Sequence, residues 1–245
     1  MLKSFSLIIL AFSTLTFAET TFDKTDVLNG VTLKSGKEDS VRSFMANTDK
    51  LLPYPINLVK KGITNFSQRC NNSYKDKRKF TSEKENCKYH NENLVESFVI
   101  HDIRKMDYFK NLSEAYLVGR QVYNRGSFGY YELVTINESM NEKKQKTITI
   151  VLRMLDDKEV NLFTDPKFTR ETAFDNSATT FTLTQIDANQ THLAYEYRAE
   201  TDHWLLNKEV SVPQVFASIG RSVNNFMKTV ETESSLQKRG LASKK

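Results

Sequence analysis

The sequence predicts an α+β domain: an antiparallel sheet covered by one long C-terminal helix. The first observation behind this is periodicity. From residue 93 onward apolar and polar residues alternate over 94–103, 116–123, 130–136 and 147–155, the period of strands with one buried face. The second is turn chemistry between the runs, in Asn124-Arg125-Gly126-Ser127-Phe128-Gly129 and Asp187-Ala188-Asn189-Gln190, which sends consecutive strands back antiparallel. The third is the last element. Advanced as a helix, Val212, Val215, Phe216, Ile219, Val223, Phe226, Met227 and Val230 fall within an arc of about 120°, with Arg221, Asn225 and Lys228 pointing the other way. Strands that are apolar on one side need a cover, and this helix has the shape to provide it.

In chain order, residues 1–18 read as a cleavable signal peptide: Lys3, an apolar stretch over 5–12, then Thr16-Phe17-Ala18 as small-x-small before Glu19. The apolar run is far shorter than the roughly 20 residues a spanning helix needs. Glutamate, and not a lipid-accepting cysteine, follows the cut. The expected product is a soluble periplasmic or secreted protein with one domain over 19–236 and a basic flexible tail over 237–245. Residues 27–33 are strand-like. Ser35 to Glu38 has capping-box spacing, and Val41, Phe44 and Met45 share an i, i+3, i+4 face, which predicts a short helix. After Pro53 and Pro55, the recurrence of Ile56, Val59, Ile63, Phe66 and Cys70 predicts a clearer helix over 56–70. Cys70 and Cys87 are an even count in an exported chain. A bridge between them would close the lysine-rich loop 70–87 and stabilise the fold by about 3 kcal/mol. Phe181 and Leu183 mark one late strand, and Leu193, Tyr195 and Tyr197 the next, while Val160, Leu162 and Phe163 are candidates for one more. Ser211 and Pro213 start the final helix, and Gly220 sits at the edge of its apolar arc, where it would let the helix approach a sheet closely.

Topology, the late strand Thr191-His192-Leu193-Ala194-Tyr195-Glu196-Tyr197-Arg198 and the helix opening Pro213-Gln214-Val215-Phe216-Ala217 together resemble the helix-grip fold of the START-like superfamily, which includes polyketide-cyclase-like and pathogenesis-related lipid binders. The resemblance covers roughly residues 27–235. It implies a curved antiparallel sheet wrapped around the terminal helix, with a ligand cavity between them. The lysine-rich loop and the size of the helix over 56–70 depart from that pattern.

Composition is ordinary for a globular chain, at 39% hydrophobic and 27% charged residues with a formal net charge of +5. Basic residues are interleaved with acids, as in Lys75-Asp76-Lys77-Arg78-Lys79, which reads as a solvated surface and not a nucleic-acid stripe. No nucleic-acid partner is expected; peripheral contact with an anionic membrane or polymer stays open. No nucleophile elbow, His-Glu-x-x-His pair or phosphate-binding glycine loop occurs, so no catalytic residue and no cofactor is assigned. Cys87, His90 and His101 lack a fourth ligand at zinc spacing, so no metal is expected. His101 and Asp102 are adjacent on a strand and face opposite sides.

The candidate ligand-binding residues are Tyr116, Arg120, Tyr195 and Tyr197 on strands, Trp204 before the final helix, and Phe216, Ile219 and Val223 on its apolar face. The tyrosines either line a pocket or serve ordinary sheet packing. Trp204, with Leu205 and Leu206, either closes over a ligand or seals the core. Arg120 and Arg153 either face solvent or neutralise an acidic head group. These residues describe a carrier of an apolar small molecule, lipid-like or aromatic. The alternatives are a cyclase- or hydrolase-type enzyme using His101, Tyr195 or Arg120, and an envelope interaction protein. The export reading predicts a mature chain that begins at Glu19 and is two hydrogens lighter before reduction than after. Intact mass of the exported protein checks both; a retained leader or two free thiols contradicts it.

Overall fold

A computed structural model describes residues 20–65, 94–100, 115–123, 127–161, 172 and 174–239. The leader, Cys70 with Cys87, His90, His101 with Asp102, and Leu162 with Phe163 lie outside these residues. The chain opens with β1 (Lys24–Leu28) and β2 (Val31–Glu38). Asn29 and Gly30 form the two-residue link between them, at φ 52° and 80°. Both therefore adopt the left-handed conformation that a tight hairpin turn demands and that Asn-Gly supplies. Leu28 pairs with Val31 across it.

The helix expected over Ser35–Met45 is absent; these residues are the end of β2 and the start of β3 (Val41–Leu52). Asp39, at φ 50°, turns the chain where the capping box was read. Phe44 and Ala46 are buried, with Met45 between them only partly so, an alternation that a three-residue helical match had concealed. Next comes α1 (Ile56–Thr64), which buries Ile56, Val59 and Ile63 as its periodicity predicts.

The later strands are β4 (Leu94–Ile100), β5 (Ala115–Tyr123), β6 (Ser127–Met140), β7 (Lys146–Met154), β8 (Asn176–Asp187) and β9 (Gln190–Thr201). Val160 ends a helical turn, α2 (Asp157–Val160), and does not belong to a strand. The turn is fixed by a reciprocal capping box between Asp156 and Glu159. Arg153, on β7, holds Glu159 with two bonds of 2.7 and 2.6 Å, so it faces this turn. A single 3-10 turn, Glu209–Ser211, leads into α3 (Val212–Lys238).

The described strands form one open sheet in the order β1-β2-β3-β9-β8-β7-β6-β5-β4, with every neighbouring pair antiparallel. Its inner face carries the core: Leu33, Phe44, Ala46, Val134, Ile136, Ile148, Ile150, Leu152, Phe181, Leu183 and Leu193 are buried with the apolar stripe of α3. This is the α+β, helix-grip arrangement. The backbone of α3 comes close to α1 and to β1, β2 and β3, so the helix lies toward one side of the sheet.

Two glycines on these contacts differ. A Cβ on Gly220 would lie 3.5 Å from Leu28 and Leu33, an ordinary packing distance. On Gly62 it would lie 2.9 Å from Ser234 Oγ and 3.0 Å from the Val230 carbonyl, where α1 presses on the backbone of α3. Gly220→Ala should therefore stabilise by up to about 1 kcal/mol through helix propensity, and Gly62→Ala should destabilise by about 1–3 kcal/mol through overpacking. Denaturant unfolding of the two variants tests the difference in sign.

Candidate ligand-binding interior

The inner face can be followed across the strands by register. Leu33, Ala46, Tyr197, Thr179, Leu152 and Val134 stand opposite one another in turn from β2 to β6, and position 116 of β5 completes the row opposite Val134. A neighbouring row holds Phe44, Ala199 and Ser177, then Met154, Glu132 and Val118. Position 120 pairs with Tyr130 just beyond it. Residues directly opposite on antiparallel strands share a face. Tyr116 and Arg120 therefore occupy inner-face positions of the backbone, though their side chains are outside the described ones.

Two aromatic clusters connect the sheet to α3. At one end Phe216 packs edge-on against Phe44, with ring centroids 6.3 Å apart, and Phe44 meets Phe174 in the same way. At the other, Phe226 lies 5.1 Å from Phe181, which in turn meets Tyr195 edge-on at 5.3 Å. Ile219 and Val223, between the two phenylalanines on α3, are buried.

Between the clusters in register stand Tyr197 and Thr179, both half-buried, with Tyr197 packed against the core. Burial, and then the neighbouring Tyr195, Tyr130 and Glu132, hold the Tyr197 hydroxyl well above the usual tyrosine range. Tyr197 on β9 also feels Tyr130 and Glu132 on β6, three strands away in the sheet. In a flat sheet that separation is about 14 Å, so the sheet curls to bring these groups together.

The interior thus has apolar walls and one polar region formed by Tyr197, Tyr130 and the buried carboxylate of Glu132. Such a region can orient a molecule whose remainder is apolar. Of the residues singled out in the sequence, Tyr195, Tyr197, Phe216, Ile219 and Val223 converge here, and the positions of Tyr116 and Arg120 belong to the same face. Trp204 does not join them. It is 68% exposed, stacked beside His203 with Lys208 Nζ 4.9 Å from its ring centre.

Sequence reasoning missed Glu132, Phe181 and Phe226 as wall residues. A signal existed for Glu132, because it is the one charged residue on the inner side of the alternation Tyr130, Glu132, Val134, Ile136. A hollow of about 480 Å³ lies at the far end of α3 among Tyr54, Lys228, Glu231, Thr232, Ser235 and Arg239, with a lining of mixed polar and apolar character.

Near the start of β3, Arg42 is fully buried. Its guanidinium donates to Ser35 Oγ at 3.2 Å and to the Asn207 carbonyl at 3.3 Å, and it pairs with Glu209, which also takes Lys24. Burial lowers its pKa and Asp23 opposes the shift. Asn207 Nδ2 donates to the Ser40 carbonyl. The β2–β3 hairpin is thereby tied to the loop that feeds α3.

No protein-family model matches the chain, and no curated protein matches it in sequence. Solved structures similar to it include human STARD10, with TM-score 0.49 and 12% identity over 90% of this chain and 77% of that one. Human StAR-related lipid transfer protein 5 gives TM-score 0.49 and 10% identity over 89% and 88%. The Zhui aromatase/cyclase from Streptomyces gives 0.47 and 12% over 80% and 96%.

The buried hydroxyl makes a pH prediction. A folded-state pKa raised above the unfolded value means that the unfolded chain ionises first, so the stability this group contributes is complete below about pH 10 and is lost as pH rises further. Tyr197→Phe should shift the alkaline unfolding midpoint upward relative to the unmodified protein. Circular dichroism across an alkaline titration measures it; an unchanged midpoint would place the hydroxyl in solvent.

Proposed function

We propose that this chain is an exported binding or carrier domain that holds a lipid-like or aromatic molecule between its sheet and α3. The observation that carries the reading is Tyr197: an inner-face residue, half-buried, flanked in register by two aromatic clusters, with a hydroxyl that burial keeps protonated. A space opening between sheet and helix at this point would exclude bulk water and offer apolar contact on most sides, which favours an apolar guest through the hydrophobic effect. Tyr197 and Glu132 suit a guest with one polar end. On this reading the leader 1–18 directs export, and the oxidising compartment pairs Cys70 with Cys87.

A second reading draws on the same polar region. Tyr197, Tyr195, Tyr130 and Glu132 interact electrostatically around one space, and converging titratable groups are the raw material of acid–base chemistry. Under it, a bound polyketide-like substrate would leave with altered mass.

Native mass spectrometry of the purified protein, before and after organic extraction, should reveal an apolar small molecule that rebinds with unchanged mass. Thr179→Trp, which puts a large ring beside Tyr197, should abolish that binding while thermal unfolding stays cooperative. Full binding by this variant would remove the basis for an interior site, and turnover of the guest would favour the enzyme.

A further inference from the structure

The loop between β9 and α3 puts three apolar side chains into water. Trp204, the chain's single tryptophan, is 68% exposed, Leu205 is 44% and Val210 is 79%. Exposure in a slack loop would mean little, but this loop is tightly held. The Asp202 amide donates to Asp175 Oδ2 at 2.7 Å and the His203 amide to Thr201 Oγ1 at 3.0 Å. The Asn207 amide reaches the His203 carbonyl at 2.9 Å, and Ser211 donates through its amide to Lys208 and through its hydroxyl to Leu205. With Arg42 and Asn207 fastened to the β2–β3 hairpin, the loop is built to hold one shape.

Its two sides differ. Leu206 packs against the core, and Ser211 and Val212 are buried, so the inner side is anchored beside the interior. Away from the core the loop leaves an aromatic ring and two aliphatic chains exposed. A rigid surface of this kind loses little conformational freedom when it enters an apolar phase.

Charge selects the phase. Lys208 lies over the Trp204 ring, Asp202 stands two residues before it with Asp175 bonded to its amide, and Glu209 pairs with both Arg42 and Lys24. Three cations thus stand with three carboxylates, which matches a zwitterionic head-group layer and offers no special attraction to an anionic one. Tryptophan and lysine with aliphatic neighbours is the combination that settles at a membrane–water interface.

We infer that Trp204, Leu205 and Val210 form a docking surface for a zwitterionic lipid bilayer, inserted to head-group depth. The inference stands on this loop alone and does not require the interior to hold a guest.

The single tryptophan reports its own environment. On titration of the full purified protein with phosphatidylcholine vesicles, its emission should shift to the blue, and bilayer-borne shallow quenchers should suppress it. Vesicle flotation should recover the protein equally at low and high salt. Leu205→Ser with Val210→Ser keeps the reporter and should weaken partitioning by about tenfold or more, with an unchanged melting temperature because both side chains are exposed. Unshifted emission and no flotation would overturn the proposal. So would flotation only on anionic vesicles with release by salt, or full binding by the double variant. A protein that docks but binds no apolar molecule would contradict the carrier reading and leave this one intact.

Discussion

One helix has to cover the apolar face of a nine-stranded sheet, and this mismatch governs the structure. Flat, nine strands would span about 40 Å, whereas a helix with its side chains is about 10 Å across. No flat arrangement lets α3 shield such a face. The sheet therefore curls until strands far apart in its order face each other, as Tyr197 and Glu132 do, and α1 fills part of the remaining margin. Even so, α3 cannot touch every inner position. It packs closely on β1–β3 and reaches Phe44 and Phe181 through its phenylalanines.

The same geometry explains where polar groups can be tolerated. A tyrosine hydroxyl and a carboxylate in a dry, fully packed core would be costly. On this curved wall their polar ends lie near enough to one another to interact. The apolar clusters on both sides meanwhile supply the contacts that hold helix and sheet together.

Much of this architecture was readable from periodicity. The strands over 115–155 and 176–201 and the terminal helix are long and strongly patterned, and local preference there agrees with tertiary placement. The first hairpins were less legible. Ser35 to Met45 fits a helical capping and spacing template over too few residues to outweigh strand pairing, and Asn29-Gly30 was the turn signal that should have tipped the balance. In the interior, the tyrosines of β9 and the apolar stripe of α3 declared themselves by period. Glu132 and Phe181 did not, because their significance depends on which strands the curl brings together. Trp204 was ambiguous for a related reason: an aromatic residue before a helix can turn inward or outward, and only the bonding of its loop decides.

Every neighbouring strand pair in this sheet follows in sequence except one, the join of β3 to β9. Loop closure over roughly 150 residues costs about 4 kcal/mol in chain entropy, against about 1 kcal/mol for a short hairpin. Two meanders, β1–β3 and β4–β9, can each form locally, but the seam that unites them awaits the final fifth of the polypeptide. Until the ribosome has delivered β9 and α3, the amino-terminal hairpins have nothing to bury themselves against, and the nascent chain stays open and pliable.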